Sequence, residues 1–387
     1  MASTENARDS IIELDALRGL AVIGIVLMSV YAFALPSQAY YNPLPWGGES
    51  DIDYTVWWAG FVFIEDKFHA LFAMMFGTGT AVLLERAENK PIRRHMVRML
   101  VLFAIGMVHG ILLADNDVLR AYAVAGLLLP AFMRLRPSFL AVSAVVLVIV
   151  HVVFGSFYAF AQTAQYWEMN YGTNAFGLEV TYARGEETLG ERIDRRIARL
   201  PRTITVILAN IPLNLASMLV GVAAWKSGLF EGKWSMTRLL LVGSMCVTTS
   251  VFALGYYASE ASGSGFSGKV IAQNSLLLSA PFDLLLSFGY AVLMMALLSV
   301  ARGRMPVRVL ADTGRLWVTN YLMTSVILAA IFASWGLGLF GTVSRSEALL
   351  FSFVPIVMVL VWSPIWVRYI GRGPFERLWR GGSRLIA

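Results

Sequence analysis

The residues of this sequence best suited to chemistry are a histidine and an acidic turn: His109, within an apolar run, is followed by Asp115-Asn116-Asp117. An imidazole beside a carboxylate serves as general base or acyl carrier, the carboxylate orienting it and stabilising the imidazolium. Arg98 stands eleven residues earlier. That is close to three helical turns, so both side chains share one face roughly 16 Å apart along the axis. Such a face suits a ligand held by its phosphates at one end and reacting at the other. It equally suits an arginine that snorkels to headgroups and a histidine that hydrogen-bonds a neighbouring helix. A second group, Glu65, Asp66, Lys67 and His69, gathers at the start of another apolar segment. They form a carboxylate, lysine and histidine cluster, in which His69, one turn from Glu65, is placed to pair with it. His95, in a basic stretch, reads as solvated, and His151 as a helix-packing hydrogen-bond donor. With four scattered histidines, no H-E-x-x-H and the single Cys246, neither a metal site nor a disulfide is expected. Gly77-Thr78-Gly79 lacks the lysine of a phosphate loop and reads as a place of close helix approach. Asn210, Asn214 and Asn320, with Pro212, either polarise a cavity or bridge helices.

These groups must be positioned by helices in a membrane. Of 387 residues, 57% are hydrophobic and 14% charged, which excludes a soluble globule. Ten apolar segments start near Leu17, Ile64, Met96, Val118, Phe139, Ile204, Thr237, Ser275, Leu316 and Leu349. Each approaches the roughly 20 residues that cross the hydrocarbon. The expected fold is therefore all-α: a polytopic bundle of about ten transmembrane helices forming one integral membrane domain over 1–387. The net charge of +6 does not indicate nucleic acid, because the basic residues lie in short loops. Five Lys/Arg fall between Arg86 and Arg98, none between Ser37 and Thr55, and five from Arg368 to Arg384. Arg134, Arg136, Lys226, Lys233, Arg238, Arg302, Arg304, Arg308 and Arg315 extend that alternation, which puts both termini in the cytoplasm. Asp9, Glu13 and Asp15 precede the first segment, which reads as an uncleaved span. The stretch 161–202 carries six Arg and six Asp/Glu and is expected outside. Within it, Leu189, Ile193, Ile197 and Leu200 predict an amphipathic helix on the outer face. It separates N-terminal helices over 14–160 from C-terminal helices over 203–387.

A resemblance accompanies this pattern. Leu14-Asp15-Ala16-Leu17-Arg18-Gly19 looks like the opening signature of the transmembrane acyltransferases. More closely, the chain resembles the YeiB-like membrane proteins, which carry a C-terminal domain of unknown function and are grouped with those enzymes. The matching motifs include Tyr41-Asn42-Pro43, Lys67-Phe68, Phe76-Gly77-Thr78-Gly79 and Gly106-x-x-His109-Gly110 before Asp115 and Asp117. Further along they include Gly314-Arg315-Leu316, Thr319-Asn320-Tyr321-Leu322, Ser363-Pro364-Ile365-Trp366 and Gly373-Pro374-Phe375-Glu376 with Leu378-Trp379-Arg380. Two positions depart from the family pattern: Asn116 stands where Gly is frequent, and His69 where a small or hydroxyl residue is usual. The related heparan-alpha-glucosaminide N-acetyltransferase is thought to use a histidine in its first outer loop. Ser37 to Thr55 has none, so that role falls here to His109 or His69.

The resemblance implies acyl transfer in the bacterial inner membrane. An acyl-CoA co-substrate, expected to be acetyl-CoA, binds from the cytosol, and its acyl group passes to an extracytoplasmic glycan, lipid or small-molecule acceptor. His109, Asp117 and Lys67 would be catalytic, and Arg18, Arg94 and Arg98 would hold the donor's phosphates. Glu65, His69, Asp115, Arg315 and Asn320 are secondary candidates. Membrane lipids are the surrounding partners, no nucleic acid is expected, and a homo-oligomer is compatible. The reading from another class is a transporter or lipid flippase, for which a polar path with charges at both ends would also serve.

Overall fold

In a bilayer every backbone polar group must find its partner within the protein, so an apolar chain of this length becomes helical. The computed structural model describes residues 12–48, 50–86, 91–301 and 303–386, and these are all-α. Asp9, Lys90 and Arg302 of the charge pattern lie outside the described residues. In chain order the helices begin with α1 Ile12–Ala34, α2 Asp51–Phe63, α3 Lys67–Arg86, α4 Pro91–Leu112, α5 Val118–Leu128 and α6 Pro137–Phe160. Four shorter helices follow: α7 Ala164–Tyr171, α8 Ala175–Tyr182, α9 Leu189–Ala198 and α10 Leu200–Ala209. Then come α11 Ile211–Lys226, α12 Met236–Gly263, α13 Gly268–Gln273 and α14 Ala280–Ala301. The last are α15 Met305–Arg315, α16 Trp317–Phe332, α17 Arg345–Tyr369 and α18 Pro374–Ile386.

All ten expected segments are helical, and the protein is a multi-pass membrane protein. Among the described residues seven helices are long and apolar enough to cross a membrane. The number rises to nine if two bent pairs, α10/α11 at 46° and α15/α16 at 85°, each form one span. The expected count of about ten is reached only by adding the short apolar helix Val118–Phe132. The second segment also begins earlier than expected. Ser50 caps α2 by accepting from the Asp53 amide, and α2 and α3 together form an apolar stretch of 35 residues. Between them Asp66 takes a φ of 59°, a left-handed turn that aspartate tolerates. Glu65, Asp66 and Lys67 therefore lie at a break inside that helix rather than at its outer end. The amphipathic helix expected from Leu189 forms as α9, closed at its start by a Thr188/Glu191 capping box.

Close packing comes from missing side chains. A Cβ on Gly77 would sit 2.2 Å from the Met218 carbonyl oxygen, and one on Gly221 would sit 2.0 Å from that of Met74. Only glycine lets α3 and α11 cross so closely, with the Thr78 hydroxyl 3.0 Å from both the Met74 and Gly221 carbonyls. The sharp bend at Leu316 would leave the first amides of α16 unpaired in the interior. Glu376 of α18 supplies the missing acceptor. Its carboxylate takes hydrogen bonds from Val318 N at 2.7 Å, Thr319 N at 3.0 Å and the Thr319 hydroxyl at 2.6 Å. It also sets a negative charge at the positive end of the helix dipole.

Candidate functional site

The histidine expected to do chemistry is positioned by α4, whose buried stripe runs His95, Met99, Leu102, Gly106 and His109. Asp117 is fixed by its second task as N-cap of α5, where it accepts from the Arg120 amide at 3.0 Å. Its other oxygen lies 2.7 Å from His109 Nδ1. Both side chains are buried, at 1% and 0% exposure. This closeness requires glycine: a Cβ on Gly106 would lie 2.7 Å from Asp117 Oδ1, and one on Gly110 would lie 2.6 Å from the Arg120 guanidinium carbon. Gly-x-x-His-Gly is thus the footprint of the start of α5 against α4. With Nδ1 held by a carboxylate, Nε2 is left as the basic nitrogen, and among the described residues it has no hydrogen-bond partner. Tyr321 completes the surround, its ring 5.1 Å from that of His109 and its hydroxyl 3.5 Å from Asp117 Oδ2.

Two cavities lie toward opposite ends of the bundle. The smaller, of about 380 Å³, is lined by Arg18, Arg98, Arg315, Arg372 and Arg380, with Asp15 and Glu376 as its acidic residues. Asp15 is engaged by Arg18 at 2.7 Å and by Arg315 at 3.3 Å. Gly79 makes room for Arg18, since a Cβ there would stand 2.9 Å from the guanidinium. Trp379 donates to the Arg98 carbonyl at 2.8 Å, and the Arg98 guanidinium lies 5.6 Å from its ring. The larger cavity, of about 1300 Å³, is lined by Asp66, His69, Asp115, Asp117, Arg120 and Tyr122 among others. Aromatic rings stand between the two. Phe72, Phe76 and Trp317 line the smaller cavity and Tyr122 the larger, with Phe72 and Tyr122 5.8 Å apart.

Several expected residues fall in other places. Lys67 lines neither cavity: it forms a buried ion pair with Asp283 at 2.7 Å and donates to the Phe61 carbonyl. His69 pairs with Asp66 at 3.5 Å instead of Glu65, whose Oε1 is buried with no hydrogen-bond partner among the described residues. Asp115, on the lining of the larger cavity, is held between Arg195 and Arg196 of α9. Asn320 bridges helices, donating to Thr313 O and Ser363 Oγ and accepting from Trp362. Arg94 lines neither cavity. His95 is not solvated: it is 1% exposed, hydrogen-bonds the Gly126 carbonyl at 2.8 Å and lines the arginine cavity. His151 meets the Leu276 carbonyl at 3.1 Å, as a helix-packing donor should. Sequence reasoning missed Arg372, Glu376 and Arg380 as site residues, although Gly373-Pro374-Phe375-Glu376 and Trp379-Arg380 had marked their neighbourhood. Among the described residues no group of His, Cys, Asp and Glu is arranged to hold a metal ion.

Comparison with known proteins gives two kinds of match. Residues 224–385 match a family model described as "Protein of unknown function (DUF418)". Over its length the chain is 30% identical to the uncharacterized protein YeiB of Escherichia coli strain K12, the alignment covering 95% of each chain. It is 29% identical to the uncharacterized protein YxaH of Bacillus subtilis strain 168, covering 96% of this chain and 94% of the relative.

Proposed function

We propose that this chain, which belongs to the DUF418 family of YeiB-like membrane proteins, transfers an acyl group from acyl-CoA across the bacterial inner membrane to an acceptor at its outer face. The observation that carries the reading is the buried His109–Asp117 pair, whose imidazole Nε2 has no hydrogen-bond partner among the described residues. The donor, acetyl-CoA in the simplest case, is held from the cytosol with its phosphates among Arg18, Arg98 and Arg315. Its thioester reaches past Phe72 toward α5. His109 Nε2 takes the proton from the acceptor hydroxyl or amine as that group attacks the thioester carbonyl carbon. The tetrahedral intermediate then collapses, the C–S bond breaks, and the coenzyme A thiolate leaves with the proton returned from the imidazolium. Asp117 keeps Nδ1–H oriented and stabilises the imidazolium in between. Lys67 would have to leave Asp283 to stabilise the oxyanion, whereas the Tyr321 hydroxyl already lies beside the pair.

The test is to incubate proteoliposomes carrying the protein with acetyl-CoA labelled in the acetyl group, together with envelope lipids and glycans. A labelled product made by wild type and not by His109→Ala supports transfer. Equal labelling by that variant, with the protein folded, removes His109 from the chemistry. A transporter reading draws on the Lys67–Asp283 pair at the break between α2 and α3, an ionic group within a span. It predicts movement of an unmodified ligand across the vesicle wall and no covalent product.

A further inference from the structure

His109 itself lines neither cavity, and the larger one, which its partner Asp117 does line, has features that chemistry at this pair does not require. Phe154 and Tyr158 of α6 line it on one side, and Val206 and Leu208 of α10 line it on another. All four also expose more than half their surface: 69%, 57%, 53% and 55%. α6 packs on α11, α10 approaches α5, and the two are not closely packed on each other. The cavity thus opens sideways between α6 and α10 through apolar lips, which in a multi-pass membrane protein face hydrocarbon rather than water.

The same cavity carries arginines as well as the acidic residues Asp66, Asp115, Asp117 and Asp283. Arg184, Arg192 and Arg202 line it and have no carboxylate within ion-pair distance among the described residues. Arg192 donates to the carbonyls of Arg184, Gly185 and Glu187, while the side chains of Arg184 and Arg202 make no hydrogen bond among the described residues. Burial, and then the guanidiniums of Arg199 and Arg195, push Arg184 down to about 10, against the opposing pull of Asp115 and Glu187. Along α10 the lining passes from Arg202, Thr203 and Thr205 to the apolar run Val206, Ile207 and Leu208, before Asn210 and Asn214 make it polar again.

We propose that this cavity binds an amphiphile drawn from the bilayer, its phosphate-class headgroup held by Arg184 and Arg202 and its hydrocarbon chain lying between α6 and α10. Guanidinium forks match phosphate oxygens, and an alkyl chain occupies a lateral opening that a soluble anion would leave unfilled. Binding needs no acyl transfer; naming the amphiphile as the acceptor rests on the function proposed above.

The full-length protein in nanodiscs of phosphatidylcholine with a minor fraction of phosphatidylglycerol tests this by native mass spectrometry. Wild type should retain phosphatidylglycerol in preference to phosphatidylcholine, and the Arg184→Gln/Arg202→Gln double variant should lose that preference by about tenfold. Leu208→Trp, which places bulk at the exposed lip, should reduce retention with the arginines intact. Glycerol phosphate, the headgroup without chains, should compete only weakly. Equal retention of both lipids by wild type, undiminished preference in the folded double variant, or competition by glycerol phosphate as strong as by lipid would each overturn the proposal. The lipid result separates from the catalytic one. Lipid selectivity without any labelled product sinks acyl transfer alone, and labelling of a soluble acceptor without lipid selectivity sinks the amphiphile alone.

Discussion

Phe72 and Tyr122 face each other with ring centroids 5.8 Å apart, one lining the arginine cavity and the other the larger cavity. The rings of Phe76 and Trp317 stand beside them, 6.4 Å from Tyr122 and 5.2 Å from Phe72 respectively. The Tyr122 hydroxyl is tied to the His69 carbonyl at 2.7 Å, so Phe72 is the freer member of the partition.

Truncating that ring should therefore connect the two spaces. Phe72→Ala is expected to destabilise the protein by about 3 kcal/mol, the ordinary cost of emptying a buried aromatic site. It should also let water reach the donor, raising acetyl-CoA hydrolysis relative to transfer. Thermal unfolding and release of free coenzyme A measure the two effects; unchanged hydrolysis would show that Phe72 does not separate the cavities.

Substitutions in the His109–Asp117 pair should divide chemistry from folding. His109→Ala is expected to lower transfer at least a hundredfold, the size of a general acid–base contribution, with donor binding retained. Asp117→Asn should lower the rate without abolishing it. Asparagine caps helices as well as aspartate, so α5 keeps its start while the imidazolium loses its counter-charge. Labelled-product kinetics and calorimetric donor binding, run on both variants, check the division.

Donor binding itself should depend on the arginine cavity. Arg98→Ala and Arg315→Ala are each expected to weaken coenzyme A binding by about tenfold, and added salt should reduce what remains, because contacts near the surface are screened. Arg94→Ala, outside the cavity, should bind as wild type. If Arg94→Ala proved the most damaging of the three, the phosphates would lie elsewhere.

The contact between Asp115 and α9 should respond to acid. Burial raises the Asp115 carboxyl, but Arg196 and then Arg195 outweigh it and hold it below its ordinary 3.8. A depressed carboxyl contributes stability that is complete above its unfolded value and is lost as pH falls through the folded one. Hydrogen exchange over Leu189–Ala198 should thus be flat from pH 5 to 8 once corrected for intrinsic rates. α9 should loosen only in stronger acid, and Asp115→Asn should loosen it at every pH. A loosening near pH 6 in wild type would contradict this assignment.

The helices were largely legible because membrane spans announce themselves by length and apolarity, and every apolar segment is helical. α2 escaped because the acidic residues Asp51 and Asp53 resemble a loop, although Ser50 three residues before Asp53 is a cap. His95 was misjudged from its basic neighbours. Its spacing from Met99, Leu102, Gly106 and His109 matched a buried helical face, and in a membrane helix that periodicity outweighs local charge. The Arg98 and His109 face was readable by counting residues. The meeting of Arg18 and Arg315 with Arg372 and Arg380 was not, since they come from three parts of the chain far apart, and only packing brings them together.

Glu376 gives assembly of this protein an order in time. The carboxylate that completes the start of α16 belongs to a residue synthesised 57 positions after Thr319, so α16 is made before its cap exists. Until α18 docks, Val318 and Thr319 present bare amides at a bend inside the bundle, and the arginine cavity lacks the wall formed by Trp379 and Arg380. A newly inserted chain is therefore structurally incomplete around the arginine cavity and open to quality-control proteases. Glu376→Ala should prolong that immature stage, lowering steady-state abundance in the membrane more than a single lost capping interaction of about 1–2 kcal/mol suggests for the finished fold.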